Sequence, residues 1–273
     1  MIGAIIGDIA GSTYEFHSIK TMDFPLFAPG SNTTDDSLMS IAVASALMQT
    51  GDGGDFKASV VSSMRQIAAK YPCPMGGYGG RFRHWLVSPN PRPYGSFGNG
   101  SAMRVSPCGD VAATLDEAFE LAKQSAEVTH NHPEGIKGAQ ATAAAIFLAR
   151  TGHSKEDIRD YIEQRFGYDL HKTYADWYGH YEWDESCQGT VPQALICFLE
   201  SEDYEDAIRK AVALGGDSDT LACITGGIAE AYHGYILAGM ADEAFERMPE
   251  DFQTTLREFE NRSFYKSRIA LVD

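Results

Sequence analysis

The sequence predicts an all-α chain, and three observations carry that expectation. Apolar residues recur at intervals of three and four in one segment after another. Alternating apolar and polar runs, the mark of half-buried strands, are scarce. Alanine is heavily used inside the periodic segments, which favours helix and close helix packing. Of the 273 residues, 44% are hydrophobic, enough for a sizeable core. No linker, charge block or repeat marks a boundary, so residues 1–273 read as one domain, a single compact orthogonal helix bundle.

The elements follow in order. MIGAIIGDIAGS opens the chain as a core helix; it lacks a basic leader region, and Asp8 interrupts it early. Gly3, Gly7 and Gly11 stand four apart on one face, which predicts another helix packed tightly against them. Asp8 is read as structural, its donors coming from the backbone of this glycine-rich helix. Helical spacing returns in Leu38–Met48 and Phe56–Ala69. Tyr71–Ser101 is then too rich in Gly and Pro for one regular element, while its aromatics and arginines argue against simple disorder. Helical spacing resumes in Leu115–Val128, Ile136–Ala149, Val191–Leu199, Ala207–Leu214 and Leu221–Leu237. Between them, Tyr174–Ser186 is dense in aromatics and acids; core packing is favoured there over adenine stacking or a contact patch.

Charge and cysteine usage exclude several classes. Lys and Arg number 22 against 38 Asp and Glu, a net charge of −16. So acidic a surface repels nucleic-acid backbone and anionic membrane, and no run approaches the roughly 18–20 apolar residues of a bilayer span. The five cysteines, Cys73, Cys108, Cys187, Cys197 and Cys223, form no CxxC pair. They are expected as buried free thiols in a reducing cytoplasm, not as a zinc site or disulfide framework.

The chemistry is concentrated at two helix mouths. NTTDDSLMSIAVASAL (Asn32–Leu47) and GGDSDTLACITGGIAEA (Gly215–Ala231) share one grammar: carboxylates and hydroxyls, then an apolar helix. Thr34, Asp35 and Asp36 precede the first; Asp217, Ser218, Asp219 and Thr220 precede the second. One Asp or Thr per helix is explained by capping, at about 1 kcal/mol. Four carboxylates are not, if the two mouths converge, because they would repel without a cation between them. Carboxylates, threonine hydroxyls and water are the oxygen ligands that Mg²⁺ and Mn²⁺ take. DSDT also fits the DxDxT core of aspartyl-phosphate phosphatases. That core follows a buried strand, whereas the preceding AIRKAVALGG reads as helix.

Two further stretches carry polar chemistry. In YGSFGNGSAMR (Tyr94–Arg104), Gly95, Gly98 and Gly100 leave backbone N–H groups open to a pyrophosphate, with side-chain bonds available from Ser96 and Asn99 and a ring from Phe97 for a base or ribose. Taken alone, this stretch is an ordinary glycine turn. His130 and His132 flank Asn131 in THNHP, and His132 before Pro133 is read as a turn cap. Arg81, Arg83 and Arg92 could meet a phosphate or a protein substrate.

GAIIGDIAGSTYEF, TTDDS, SFGNGSAMRVSP, VTHNHPEG, TVPQAL and GGDSDTLACITGGIAEAYHG occur in the order and approximate spacing of the ADP-ribosylglycohydrolases, and the chain resembles that family from about Gly3 to Gly234. The resemblance implies an all-α fold with two divalent cations, Mg²⁺ or Mn²⁺, in a central metal-lined cleft. It implies cleavage of the bond between ADP-ribose and an acceptor. Thr34, Asp35, Asp36 and Asp219 would hold one ion, and Asp217, Asp219 and Thr220 the other. Glu15, seven residues after Asp8, would lie near the metals; Asp35, Asp36 and Glu15 are the candidate catalytic carboxylates. Gly95, Ser96, Phe97, Gly98, Asn99 and Gly100 would hold diphosphate and ribose, with His130 beside them.

The expected partner is an ADP-ribosylated protein, arginine-linked first, or a small-molecule conjugate. Serine-linked adducts stay open, and modified nucleic acid is disfavoured by charge. A non-catalytic ADP-ribose-binding regulator on the same scaffold and a metal-dependent phosphatase are the alternatives. The acceptor, the preferred ion, the general base and the oligomeric state are not legible in the sequence.

Overall fold

The computed structural model describes residues 1–51, 53–261 and 270–272. The chain folds as α1 (Ile2–Gly11), α2 (Asp35–Thr50), α3 (Phe56–Lys70), α4 (Gly80–Val87), α5 (Gly100–Met103), α6 (Ser106–Val111), α7 (Leu115–Glu127) and α8 (Pro133–Arg150). It continues through α9 (Lys155–Phe166), α10 (Tyr174–Trp177), α11 (Cys187–Leu199), α12 (Tyr204–Leu214), α13 (Ser218–His233), α14 (Ala238–Arg247) and α15 (Glu250–Glu260). Two three-residue strands, β1 (Tyr235–Leu237) and β2 (Ala270–Val272), pair in parallel near the end.

The axis of the molecule is the antiparallel pair α1 and α13. A Cβ at Gly3 would come 2.8 Å from the Gly226 carbonyl oxygen, one at Gly7 2.0 Å from that of Ala222, and one at Gly11 2.5 Å from Asp219 Cα. The glycines of α1 therefore let two backbones touch, as their spacing requires. Every residue of α1 is buried, and α13 is buried from Ser218 to Glu230. At one end of this pair, Glu230 Oε2 accepts from Gly3 N–H at 2.8 Å and from the Met1 ammonium at 2.8 Å. The other end is the acidic end described below.

Several elements differ from the sequence expectation. The helix read as Leu221–Leu237 stops at His233, because Gly234 adopts φ 70° and its N–H caps Glu230 O. The Tyr71–Ser101 stretch contains α4, which buries Phe82, Trp85 and Leu86. Four of the cysteines are buried as expected, whereas Cys73 is exposed; all five are free. Among the described residues no helix is long and apolar enough to cross a membrane.

Candidate functional site

Two helix mouths meet because α1 lies between them. Thr34 caps α2, its hydroxyl oxygen accepting from Asp36 N–H at 3.2 Å. The same hydroxyl donates to Asp8 Oδ1 at 2.6 Å, and Thr34 N–H donates to Asp8 Oδ2 at 3.0 Å. Ser37 adds its N–H at 3.1 Å and its hydroxyl to Asp8 Oδ2. Asp8 thus draws its donors from the first turn of α2, not from its own helix as the sequence suggested. A helical N–H in α1 is already committed four residues back, whereas the first N–H groups of α2 are free to point at an anion. Glycine contact then brings the start of α13 against the end of α1.

The result is a crowd of carboxylates. Oxygens of Asp8, Asp36 and Asp219 lie within 4.8 Å of one another, and so do oxygens of Glu15, Asp217 and Asp219. Asp219 belongs to both groups. Thr220 Oγ1 donates to Asp36 Oδ2 at 3.3 Å, and Asn99 Nδ2 donates to Asp217 Oδ2 at 2.6 Å. Asp36 Oδ1 and Glu15 Oε2 are buried and receive no hydrogen bond among the described residues. Burial, and then neighbouring carboxylates, push Asp36 and Asp219 well above the usual carboxylate range. Burial also raises Asp35, Asp217 and Asp8, the last to about 6. Glu15 is raised to about 7 by burial and by Asp217. Unlike Glu230, whose charge faces an ammonium, these groups are crowded by their own sign.

A cleft of about 370 Å³ opens above them. Glu15, Asp35, Asp36, Asp217, Asp219 and Thr220 form its acidic floor. Thr34 lies beneath, fully buried. Gly76, at φ 73°, closes over Glu15; a Cβ there would come 2.7 Å from Glu15 Oε2. Ser96, Gly98, Asn99, Gly100 and His130 line the wall, with Tyr94 and Arg81 beside them. Gly95 and Phe97 stand apart from the other predicted loop residues. Gly95 N–H is taken by Asn131 Oδ1 at 2.7 Å, and Phe97, 46% exposed, packs edge-on against His132. His132 caps α8 by accepting from Glu134 N–H at 3.1 Å.

His130 is buried, and burial together with Arg104 and Arg81 holds its pKa well below 6.5. Its Nδ1 lies 2.7 Å from Thr129 Oγ1, which also accepts from Arg104 Nη2 at 2.9 Å. With its pKa held that low the imidazole is neutral, and Nε2 is the atom closest to a Cβ built at Gly100 (3.3 Å).

Some cleft residues carried no site assignment in the sequence. Phe16 and Trp183 line the cleft together with Tyr78 and Glu185. Of the three arginines singled out, Arg81 lines it, Arg83 bonds the Tyr78 carbonyl at 3.4 Å, and Arg92 lines a separate surface hollow. In the Tyr174–Ser186 stretch, Tyr181 is core whereas Trp183 is exposed. Asp217 follows α12 and two glycines, so DSDT lacks the strand that the phosphatase motif requires.

Residues 1–264 match the family model described as ADP-ribosylglycohydrolase. The chain is 26% identical to ADP-ribosylhydrolase ARH3 of Homo sapiens, across 98% of this chain and 93% of that protein. It is 25% identical to the ADP-ribosyl-(dinitrogen reductase) glycohydrolase of Rhodospirillum rubrum, across 85% and 84%. A solved structure of an ADP-ribosylglycohydrolase-related protein complex superposes with a TM-score of 0.66 at 23% identity, covering 98% of this chain and 97% of that one, and shares its fold.

Proposed function

The chain belongs to the ADP-ribosylglycohydrolase family and is an ADP-ribose-releasing glycohydrolase; from that premise we propose that it needs two divalent cations, Mg²⁺ or Mn²⁺, and acts on arginine-linked ADP-ribose on protein. The observation that carries the reading is the meeting of two acidic helix mouths, with Asp219 common to both carboxylate groups. The donor set is all oxygen, which suits hard divalent ions. The buried, unbonded oxygens Asp36 Oδ1 and Glu15 Oε2 are what such ions would satisfy.

On this reading Asp35, Asp36 and Asp219 hold one ion and Asp217, Asp219 and Thr220 the other. Thr34 keeps its assigned place beside the first. Its hydroxyl already serves Asp36 N–H and Asp8, so it also holds those two carboxylates in register. When bound, the ions would orient the ribose hydroxyls and lower the pKa of a water molecule.

The protein's own groups do the rest. Asp35, Asp36 or Glu15 accepts the proton of the attacking water, and the neighbouring anions stabilise positive charge developing on the ribose. Ser96, Asn99 and the backbone of Gly98 and Gly100 hold the diphosphate and ribose. His130 offers Nε2 to the nucleotide without adding a charge. Gly76 over Glu15 limits water at the floor.

The test is a panel of arginine-, serine- and nucleic-acid-linked ADP-ribose substrates, with and without EDTA. Free ADP-ribose from the arginine-linked member, stopped by EDTA and restored by Mg²⁺ or Mn²⁺, is expected. Release of inorganic phosphate, or binding without turnover, would overturn the proposal.

A further inference from the structure

We infer that Phe16 and Trp183, with Glu185 beside them, form the acceptor subsite and select a planar cation, the guanidinium of the acceptor arginine; the inference rests on the hydrolase reading above. Phe16 is 63% exposed and Trp183 42% exposed, yet their rings stack at 5.4 Å and 22°. Large aromatics left open to water at the rim of a cleft mark a binding surface, because burial elsewhere would remove the same area from water at no functional cost. Phe16 adjoins Glu15, so the pair stands over the carboxylate floor. Trp183 Nε1 donates to Glu185 Oε1 at 3.0 Å, which fixes the indole and sets a carboxylate at its edge. Among the described residues no group bonds the other Glu185 oxygen.

The cleft also carries Arg81, its guanidinium 4.8 Å from the Tyr94 ring centre, and His130, while the Glu185 backbone oxygen accepts from Asn99 N–H at 2.7 Å. A diphosphate fits beside Arg81 and His130. Glu15 and Glu185 repel it and attract a cation. Of Lys and Arg, only the guanidinium both stacks flat on an indole and donates in a planar fork to a carboxylate; an ammonium is a point charge that does neither. A serine-linked adduct presents neither feature.

The experiment titrates agmatine, a small guanidinium, into the Mg²⁺-loaded protein saturated with ADP-ribose, followed by calorimetry. Wild type is compared with Phe16→Ala, Trp183→Ala, Trp183→Phe and Glu185→Gln. Each truncation should weaken agmatine binding roughly tenfold, while Trp183→Phe, which keeps a ring face, retains part of the affinity. The kcat/KM preference for arginine-linked over serine-linked substrate should fall in step. Equal agmatine affinity in all five proteins, or no agmatine binding to wild type, overturns the inference. So does a parallel loss of ADP-ribose affinity, since the stack would then hold the adenine. Absence of ADP-ribose release by wild type from any substrate refutes the hydrolase reading instead, and the titration still decides the subsite.

Discussion

Asp36 and Asp219 sit in the first turns of two buried helices, whereas Phe16 and Trp183 hang from surface turns and meet only ring to ring. The floor is set by backbone: glycine contact fixes α1 against α13, and the first turn of α2 grips Asp8. The rim is set by the Phe16–Trp183 stack, the Trp183–Glu185 hydrogen bond and a backbone bond from Asn99 N–H to Glu185 O at 2.7 Å. A floor built this way has little freedom to move without the core. A rim built this way can change between relatives while the core stays. On the proposed reading, chemistry belongs to the first region and acceptor choice to the second.

The largest expected effect follows from that division. Asp219→Asn leaves the helices intact, since Asn can occupy a first turn as Asp does. It removes the carboxylate common to both acidic groups. Turnover should fall about a thousandfold with an unchanged circular dichroism spectrum, and Asp36→Asn should behave alike. Full activity at saturating Mg²⁺ in either variant would break the comparison, because the floor would no longer be where the chemistry lies.

Next in size is a pair of glycine substitutions. Gly7→Ala drives a methyl to 2.0 Å from the Ala222 carbonyl oxygen. The helices must part, at about 3 kcal/mol, or roughly 6–12 °C in Tm for a chain of this size. Gly95, at φ 65° with open space around it, is left-handed but uncrowded. Gly95→Ala should cost only about 1 kcal/mol. Equal losses on thermal denaturation would mean that the floor is no more backbone-bound than the wall.

The floor was the legible part of the site because its signals are local. Hydroxyls and carboxylates before an apolar run announce a helix start, and Gly3, Gly7 and Gly11 announce a close partner within one turn-repeat. The rim had no such signature. Nothing within several residues of Trp183 indicates that Phe16 will lie against it. Asp8 shows the same limit on a smaller scale: its burial was foreseeable, its partners Thr34 and Ser37 were not, since they come from another helix. Helix α9, absent from the sequence expectation, and the end of α13 escaped for a different reason. Lys155–Phe166 buries only Ile158 and Ile162, too narrow a stripe to stand out among charges. Leu221–Leu237 stays apolar past its true end, so only the conformation of Gly234 reveals the stop.

A third prediction concerns pH. Burial and like charges raise the folded pKa of Asp36 and Asp219 well above the ordinary value, and burial raises that of Asp8 to about 6. Between about pH 4 and 6 the folded, metal-free protein therefore holds protons that the unfolded chain has released. Its stability falls as pH rises through that window, by on the order of 1–3 kcal/mol. His130 has the opposite sign: its folded pKa is lowered, so stability is lost as pH falls below 6.5. His233 is lowered as well, and Asp157, Asp176 and Asp251 stand below the usual carboxylate range; the six raised carboxylates Asp8, Glu15, Asp35, Asp36, Asp217 and Asp219 outnumber them and set the sign. In EDTA, Tm should rise between pH 6 and 4.5. Saturating Mn²⁺ replaces the protons and should raise Tm most at the higher pH. A metal-free Tm that falls on acidification would show that the floor is not held by protons.

The smallest expected effect sharpens the boundary between wall and rim. Thr129 Oγ1 accepts from Arg104 and faces His130 Nδ1, so Thr129→Val removes the hydrogen-bond partner that fixes the imidazole tautomer. Valine keeps the shape and fills the buried space. Two hydrogen bonds are lost, the one from Arg104 and the one with His130; the second, about 1 kcal/mol, appears as roughly a fivefold weaker ADP-ribose affinity. ¹⁵N NMR should show one His130 tautomer in the wild type and a mixture in the variant. On the proposed reading the wall reads the nucleotide and not the acceptor, so the preference for arginine-linked over serine-linked substrate should not move. If that preference changed with Thr129, wall and rim would be one recognition surface.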